Sequence, residues 1–231
     1  MVKAKVTKKQ LKEPDEFITL TQRAYIFVSD HARKILFAVA AIVVVVAAVF
    51  LYQWWQRDKE AKAARDLSVV MAAFQRVSSP YREASSQDYR SFLSKFDEVS
   101  TRYSGTPSGR LSLLYKASVH LRLKEFDEAI RTYQLFLEKG EKEKVYHFFA
   151  LEGLGYALEG KKEYEKALES YKKALDLGDG LPVGDIQLSI GRCYEKMGKN
   201  KEAVENYQAY LKESPKSPIT NVLMREISRL Q

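Results

Sequence analysis

The residues best suited to metal binding or nucleophilic chemistry are three histidines, His31, His120 and His147, and a single cysteine, Cys193. A helical zinc site needs two histidines one turn apart, and a ribbon or knuckle needs paired cysteines. Neither spacing occurs, so the sequence predicts no metal. One cysteine forms no intrachain disulfide and reads as a small buried side chain in a helix. Phosphate chemistry would need a GxxxxGK[ST] or GxGxxG loop, and acyl transfer a GxSxG elbow; none is present. The acidic residues alternate with lysines along helical stretches, as solvated faces do. The expectation is therefore a non-enzymatic chain with no catalytic residues, no cofactor and no small-molecule substrate.

Charge narrows the partners. The formal charge is +8, and residues 1–34 hold eight Lys/Arg against four acids: Lys3, Lys5, Lys8, Lys9, Lys12, Arg23, Arg33 and Lys34. Residues 56–231 carry 30 basic and 26 acidic groups. A nucleic-acid binder would concentrate its basic excess on a folded domain. Half of the excess lies instead beside an apolar run, so no nucleic acid is expected.

That run, Ile35 to Trp55, is 21 residues without a charge. At about 1.5 Å per residue it spans roughly 30 Å, the hydrocarbon thickness of a bilayer. Tyr52, Trp54 and Trp55 gather at one end, as interfacial aromatics do, and His31, Arg33 and Lys34 close the other. Gln53-Trp54-Trp55 is a poor cleavage site, so a single uncleaved anchor is expected rather than a removed leader. The Lys/Arg bias places the N-terminus in the cytoplasm and the remainder outside, which in a bacterium with two membranes is the periplasm. Before the span, residues 1–13 read as a basic tail, and Pro14-Asp15-Glu16 as a helix start. Phe17, Leu20, Ala24, Phe27 and Val28 share one helical face. That helix either lies on the cytoplasmic leaflet or simply leads into the span.

The rest is repetitive. Ala117, Gly155 and Gly191 are each followed twelve residues later by an alanine: Ala129, Ala167 and Ala203. Four residues on come Tyr133, Tyr171 and Tyr207, and three further Phe136, Ala174 and Tyr210. A small residue midway along one helix admits a close crossing by a second, whose alanine meets it. The aromatics on the same face are then expected to fill the gap to the next pair. Such pairs must stack to cover their apolar faces. Leu67, Val70, Met71, Phe74 and Val77, ended by Ser78-Ser79-Pro80, followed by Phe92, Phe96 and Val99, ended by Gly105-Thr106-Pro107, predict a degenerate pair ahead of these. Ile219, Leu223, Ile227 and Leu230 predict a terminal capping helix.

The pattern resembles the tetratricopeptide repeat, most closely in the 164–174 run and in Gly191, Tyr194, Gly198, Ala203, Tyr207 and Pro215. The first copy departs from it, with Lys116-Ala117 in place of Leu-Gly. The resemblance implies a tetratricopeptide-repeat-like α-solenoid, so with the apolar span the expected fold is all-α, a single transmembrane helix followed by that solenoid. The segments are then a basic tail over 1–34, the span over 35–55, a juxtamembrane helix and degenerate repeat over 56–109, three repeats over 110–217 and the cap over 218–231. It also implies a concave surface lined by the first helix of each pair. Carried onto this chain, the inward residues are Leu114, Ser118, Leu121, Arg122, Phe149, Glu152, Tyr156, Leu188, Arg192 and Glu195. Phe149, Tyr156 and Leu188 would hold an apolar stretch of polypeptide, and Arg122 and Arg192 would pair charge. Leu114 and Ser118 stand where a Lys/Asn clamp for a terminal carboxylate would begin, so that mode is not expected.

Tail, span and exported repeats together resemble the ancillary SecYEG translocon subunit family. That resemblance implies a periplasmic chaperone-like adaptor whose partners are the Sec translocon, a membrane-anchored prolyl-isomerase-like periplasmic chaperone and exported client polypeptides. A structural scaffold in envelope assembly or cell division is the alternative.

Overall fold

The computed structural model describes residues 16–78, 85–139, 143–178 and 180–231, with side chains from residue 22 onward. The basic tail, Pro14, Asp15, Ser79 and Pro80 lie outside the described residues. Among the described residues there are ten α-helices and no strand. The chain divides into two units, residues 1–56 and 57–231.

In the first unit, α1 (Glu16–Asp30) ends at His31, whose ring stacks on Phe27 with centroids 4.6 Å apart. Then α2 (Ala32–Val77) begins, and its apolar part is long and apolar enough to cross a membrane. Its side chains from Leu36 to Trp55 find no cover within the chain; Phe37 is 75% and Val44 67% exposed. The 55/56 boundary expected from sequence falls inside α2, which is unbroken there.

In the second unit, the last third of α2 buries Ala63, Leu67 and Phe74 against Phe92, Phe96 and Val99 of α3 (Ser86–Arg102). Phe74 meets Phe92 and Phe96 edge-on at 5.3 and 5.6 Å, a favoured aromatic geometry. This is the degenerate pair, with Val70, Met71 and Val77 packed at its margin. Ser85 and Asp88 form a reciprocal capping box at the start of α3. Thr106 caps α4 (Pro107–Arg122), and Pro107 occupies its first turn, where no amide is needed. Glu60 of α2 adds a second cap, accepting from the amide and hydroxyl of Ser108 at 3.2 and 2.6 Å.

Three pairs follow: α4 with α5 (Phe126–Glu138), α6 (Lys144–Gly160) with α7 (Tyr164–Leu175), and α8 (Val183–Lys196) with α9 (Asn200–Glu213). α10 (Thr220–Leu230) covers the last pair with Leu223 and Ile227. Ala129, Ala167 and Ala203 are fully buried, as close crossings require. A Cβ on Gly155 would stand 2.3 Å from the Tyr171 ring, and one on Gly191 2.5 Å from Tyr207. These rings therefore fill the notch inside their own pair, and Tyr171 also belongs to the cluster that takes in Ile186, Ile190 and Cys193 of the next one. Tyr133 of α5 makes its close approach across pairs, lying on Gly153 of α6, as Phe126 does on Gly160.

Each pair turns the same way. Lys124, Lys162 and Gly198, each seven residues after the small residue, have φ of 59°, 64° and 73°. The next amide then bonds back five residues, from Glu125 to His120, Glu163 to Leu158 and Lys199 to Tyr194, each at 2.9 Å. This is the left-handed closure that satisfies the last helical carbonyls.

Candidate protein-binding groove

Five of the eight expected groove residues come together. Leu121, Arg122, Phe149, Glu152 and Tyr156 line one groove of about 460 Å³ between α4 and α6, joined by Leu114 and Ser118. Tyr115, Tyr133, Tyr146 and Gly153 complete it and were not among the residues expected from sequence. The result is a wall of tyrosines around Phe149, which is 42% exposed. Such rigid amphipathic rings suit the capture of polypeptide, offering apolar area and a hydrogen-bonding tip at little entropic cost.

Leu188, Arg192 and Glu195 lie elsewhere. Leu188 packs at the edge of the α9–α10 cluster. Arg192 donates from Nε and a terminal nitrogen to Glu159 at 3.0 and 3.1 Å, tying α8 to α6. Glu195 accepts from the Tyr207 hydroxyl at 2.7 Å and from Arg229 of α10 at 3.0 Å. Arg192 thus ties successive pairs together, while Leu188 and Glu195 tie α8 to its own partner helix and to the α10 cap.

The electrostatics of the groove follow from its half-burial. Burial raises the Glu152 carboxyl, Tyr156 opposes that by donating to it at 3.3 Å, and Asp185 adds to the rise. Burial raises the Tyr133 hydroxyl, with Glu152 reinforcing and Arg122 opposing. Arg122 lies 5.7 Å from the Tyr89 ring, a cation–π distance, and forms no ion pair among the described residues. Deeper in the stack, burial works against the charge of Arg192, but its pair with Glu159 prevails and the pKa is raised.

The histidines and the cysteine are accounted for by packing. His120 bonds Glu125 at 2.8 Å, His147 lies beside Phe136, and His31 stacks on Phe27. Burial pushes the Cys193 thiol up to about 12, which disfavours the reactive thiolate. Among the described residues no group of three His, Cys, Asp or Glu is placed to hold a metal.

The sequence profile described as "Tetratricopeptide repeat-like domain" matches residues 26–230. The chain belongs to that family. As a tetratricopeptide repeat-like domain it is built to bind other proteins, and it is similar over part of its length to curated proteins. It is 28% identical over 114 residues to "Uncharacterized protein ycf37" of Cyanophora paradoxa, covering 49% of this chain and 65% of that one. It is 32% identical over 102 residues to the RNA polymerase-associated protein CTR9 of Saccharomyces cerevisiae, covering 42% of this chain and 9% of that one. The matches thus span less than two thirds of either relative. Among solved structures, the apo form of RapI superposes with a TM-score of 0.54 at 15% identity, covering 71% of this chain and 46% of that chain. The tetratricopeptide-like repeats of a putative kinesin light chain of Podosopora anserina give 0.52 at 15% identity, covering 75% and 84%. At that identity these two speak to the fold alone.

Proposed function

We propose that this tetratricopeptide repeat-like protein is an inner-membrane-anchored adaptor that holds extended polypeptide in the α4–α6 groove on the periplasmic side, beside the Sec translocon and a partner chaperone. The observation that carries the reading is the groove, with Phe149 exposed at its centre and four tyrosines in its walls. The uncovered apolar part of α2 supports an anchor, since water would have to be ordered around every one of its faces. The basic excess before Ile35 supports a cytoplasmic N-terminus. Work at such a site is holding, not turnover. A shared bilayer raises the effective concentration of the groove near emerging chains without any new contact.

The test places a photocrosslinking amino acid at Phe149 in intact cells and follows protease access to residues 57–231. Adducts with translocon subunits, a membrane-anchored prolyl-isomerase-like chaperone and exported chains, with cleavage once the outer membrane alone is opened, are the expected result. Adducts confined to envelope-assembly or cell-division proteins would favour a structural scaffold instead. Protection until the inner membrane is broken would remove the periplasmic assignment.

A further inference from the structure

We propose that the α4–α6 groove selects extended segments carrying an aspartate or glutamate, whose carboxylate is seated between the Tyr133 hydroxyl and the Arg122 guanidinium. This rests on the groove being a polypeptide site. It is argued from a register that the three pairs share and that the first pair breaks.

Four residues after the small residue of α6 stands Glu159, and four after that of α8 stands Glu195. Each accepts from the tyrosine of its own pair: Glu159 from Tyr171 at 3.0 Å, Glu195 from Tyr207 at 2.7 Å. Each also accepts from an arginine of the next element, Arg192 for Glu159 and Arg229 for Glu195. The same register in the first pair puts Leu121 where the acid should be and Tyr156 where Arg192 has its counterpart. Tyr133, equivalent to Tyr171 and Tyr207, therefore has no acid to receive its proton.

The consequence is visible in the groove wall. Tyr133 is only 3% exposed, yet it lines the groove, and no described residue is hydrogen-bonded to its hydroxyl. Arg122, next to Leu121, lines the same groove with its charge held over an aromatic face and matched by no carboxylate among the described residues. A hydroxyl at the groove wall and a cation thus remain as the donors of a cluster whose acceptor is missing from this repeat. A carboxylate supplied by the ligand completes it, as Glu159 and Glu195 complete the later clusters, with the difference that Arg122 comes from α4 itself and not from the following element. Leu121 and Phe149 flank the position and receive the apolar neighbours of that acid. Glu152, on the same groove, works against a second negative charge, although its carboxyl already accepts from Tyr156.

The test uses the full chain in detergent micelles and a short fluorescein-labelled, C-terminally amidated peptide, Ala-Leu-Phe-Asp-Leu-Ala, against its Asp→Asn twin. A charge-assisted hydrogen bond predicts about a tenfold preference for the aspartate peptide by fluorescence anisotropy. Tyr133→Phe and Arg122→Gln should each bring the two peptides close to parity, and Tyr133→Phe should do so without lowering the melting temperature. Leu121→Glu should restore the internal acid, raise the melting temperature and abolish the preference. Glu152→Gln should tighten the aspartate peptide selectively. Equal affinity for the two peptides in the unaltered protein overturns the inference while leaving the groove as a peptide site. An asparagine peptide with a free C-terminus that matches the aspartate peptide overturns it in favour of a chain terminus. Binding of neither peptide, together with no polypeptide adduct at Phe149, overturns both this inference and the groove reading beneath it.

Discussion

Gly155→Ala should destabilise this protein, although alanine is the better helix former. The added methyl would stand 2.3 Å from Cε1 of Tyr171 and 2.6 Å from its Cδ1 and Cζ. Carbon atoms rest at about 3.5–4.0 Å, so the ring must withdraw by about 1 Å. Tyr171 is fully buried, and its hydroxyl is fixed to Glu159, which in turn holds Arg192. Overpacking of a filled core costs about 1–3 kcal/mol, and a ring with no free side belongs near the upper end. Misaligning its hydroxyl bond adds roughly 1 kcal/mol. The helix-propensity gain of alanine over glycine returns about 1 kcal/mol. The net is a loss of about 2–3 kcal/mol, or roughly 4–12 °C in the melting temperature of a domain of this size.

Thermal unfolding followed by far-UV circular dichroism measures it, with two comparisons built in. Gly184→Ala places a methyl 3.5 Å from Ser214 Oγ and 3.9 Å from Glu213 Cβ, which is ordinary contact. It should therefore stabilise, by a few tenths to about 1 kcal/mol. In a Tyr171→Leu background, Gly155→Ala should cease to destabilise, because the obstructing ring is gone. A Gly155→Ala protein as stable as the parent, or a penalty that survives the removal of Tyr171, would refute the packing argument.

Other consequences are smaller but equally specific. Tyr171→Phe and Tyr207→Phe each delete a hydroxyl bonded to a carboxylate and should cost about 1–2 kcal/mol in chemical denaturation, whereas Tyr133→Phe should stay within about 0.5 kcal/mol. Lys124→Gly and Lys162→Gly relieve side chains held at φ of 59° and 64°. Strain relief of about 1–2 kcal/mol, less about 0.5–1 kcal/mol for the freer unfolded chain, leaves a modest rise in melting temperature for each. The hydrogen bond from His120, with Arg90 beyond it, holds the Glu125 carboxyl below its ordinary 4.5. A depressed acid stabilises above its unfolded pKa and loses that contribution as the pH falls through the folded one. Glu125→Gln should therefore flatten the decline of melting temperature below about pH 4.5. Burial raises Glu152, so its sign is opposite: its contribution is greatest in acid and is lost as the pH climbs past 4.5. Glu152→Gln should accordingly lower stability in acid relative to neutral pH, by comparison with the parent.

The repeat register could be read because close helix crossings tolerate few side chains. Ala129, Ala167 and Ala203 are fully buried and Gly155 and Gly191 touch rings, so no other residue types fit. The turns at Lys124 and Lys162 were not legible, since lysine does not announce a left-handed backbone; only alignment with Gly198 reveals it. The packing roles of Glu60 and Ala63 are not legible because they lie in the charged stretch from Arg57 to Asp66, whose composition reads as a solvated helix and shows no apolar stripe before Leu67. The inward face of each first helix follows from the repeat register, but what covers it depends on the next element. Leu188, Arg192 and Glu195 meet α6, α9 and α10 side chains, and nothing within a single repeat distinguishes them from Leu121, Arg122 and Phe149, which meet the groove. By spacing alone Tyr133 reads as a packing residue, and the signal that separates it from Tyr171 and Tyr207 lies twelve residues earlier, at Leu121 instead of glutamate.

That single exchange also explains where the stack is adaptable. At the α6–α8 junction, Arg192 reaches across to Glu159, and the Ser189 hydroxyl comes within 3.5 Å of Tyr156. Opening that junction would strand a half-buried ion pair, and breaking such a pair is costly. At the α4–α6 junction the side chains share one apolar cluster that takes in Leu113, Leu114 and Leu121 of α4 and Phe148, Leu151 and Tyr156 of α6. Apolar contact is non-directional and survives small shifts that a bidentate pair does not. The groove is also backed on one side by the Phe74, Phe92 and Phe96 cluster, on which Tyr115 stacks at 5.7 Å, and on the other by the Glu159–Arg192 clamp. A site between two rigid blocks, closed by forgiving contacts, can accept side chains of different sizes while keeping its polar groups in place.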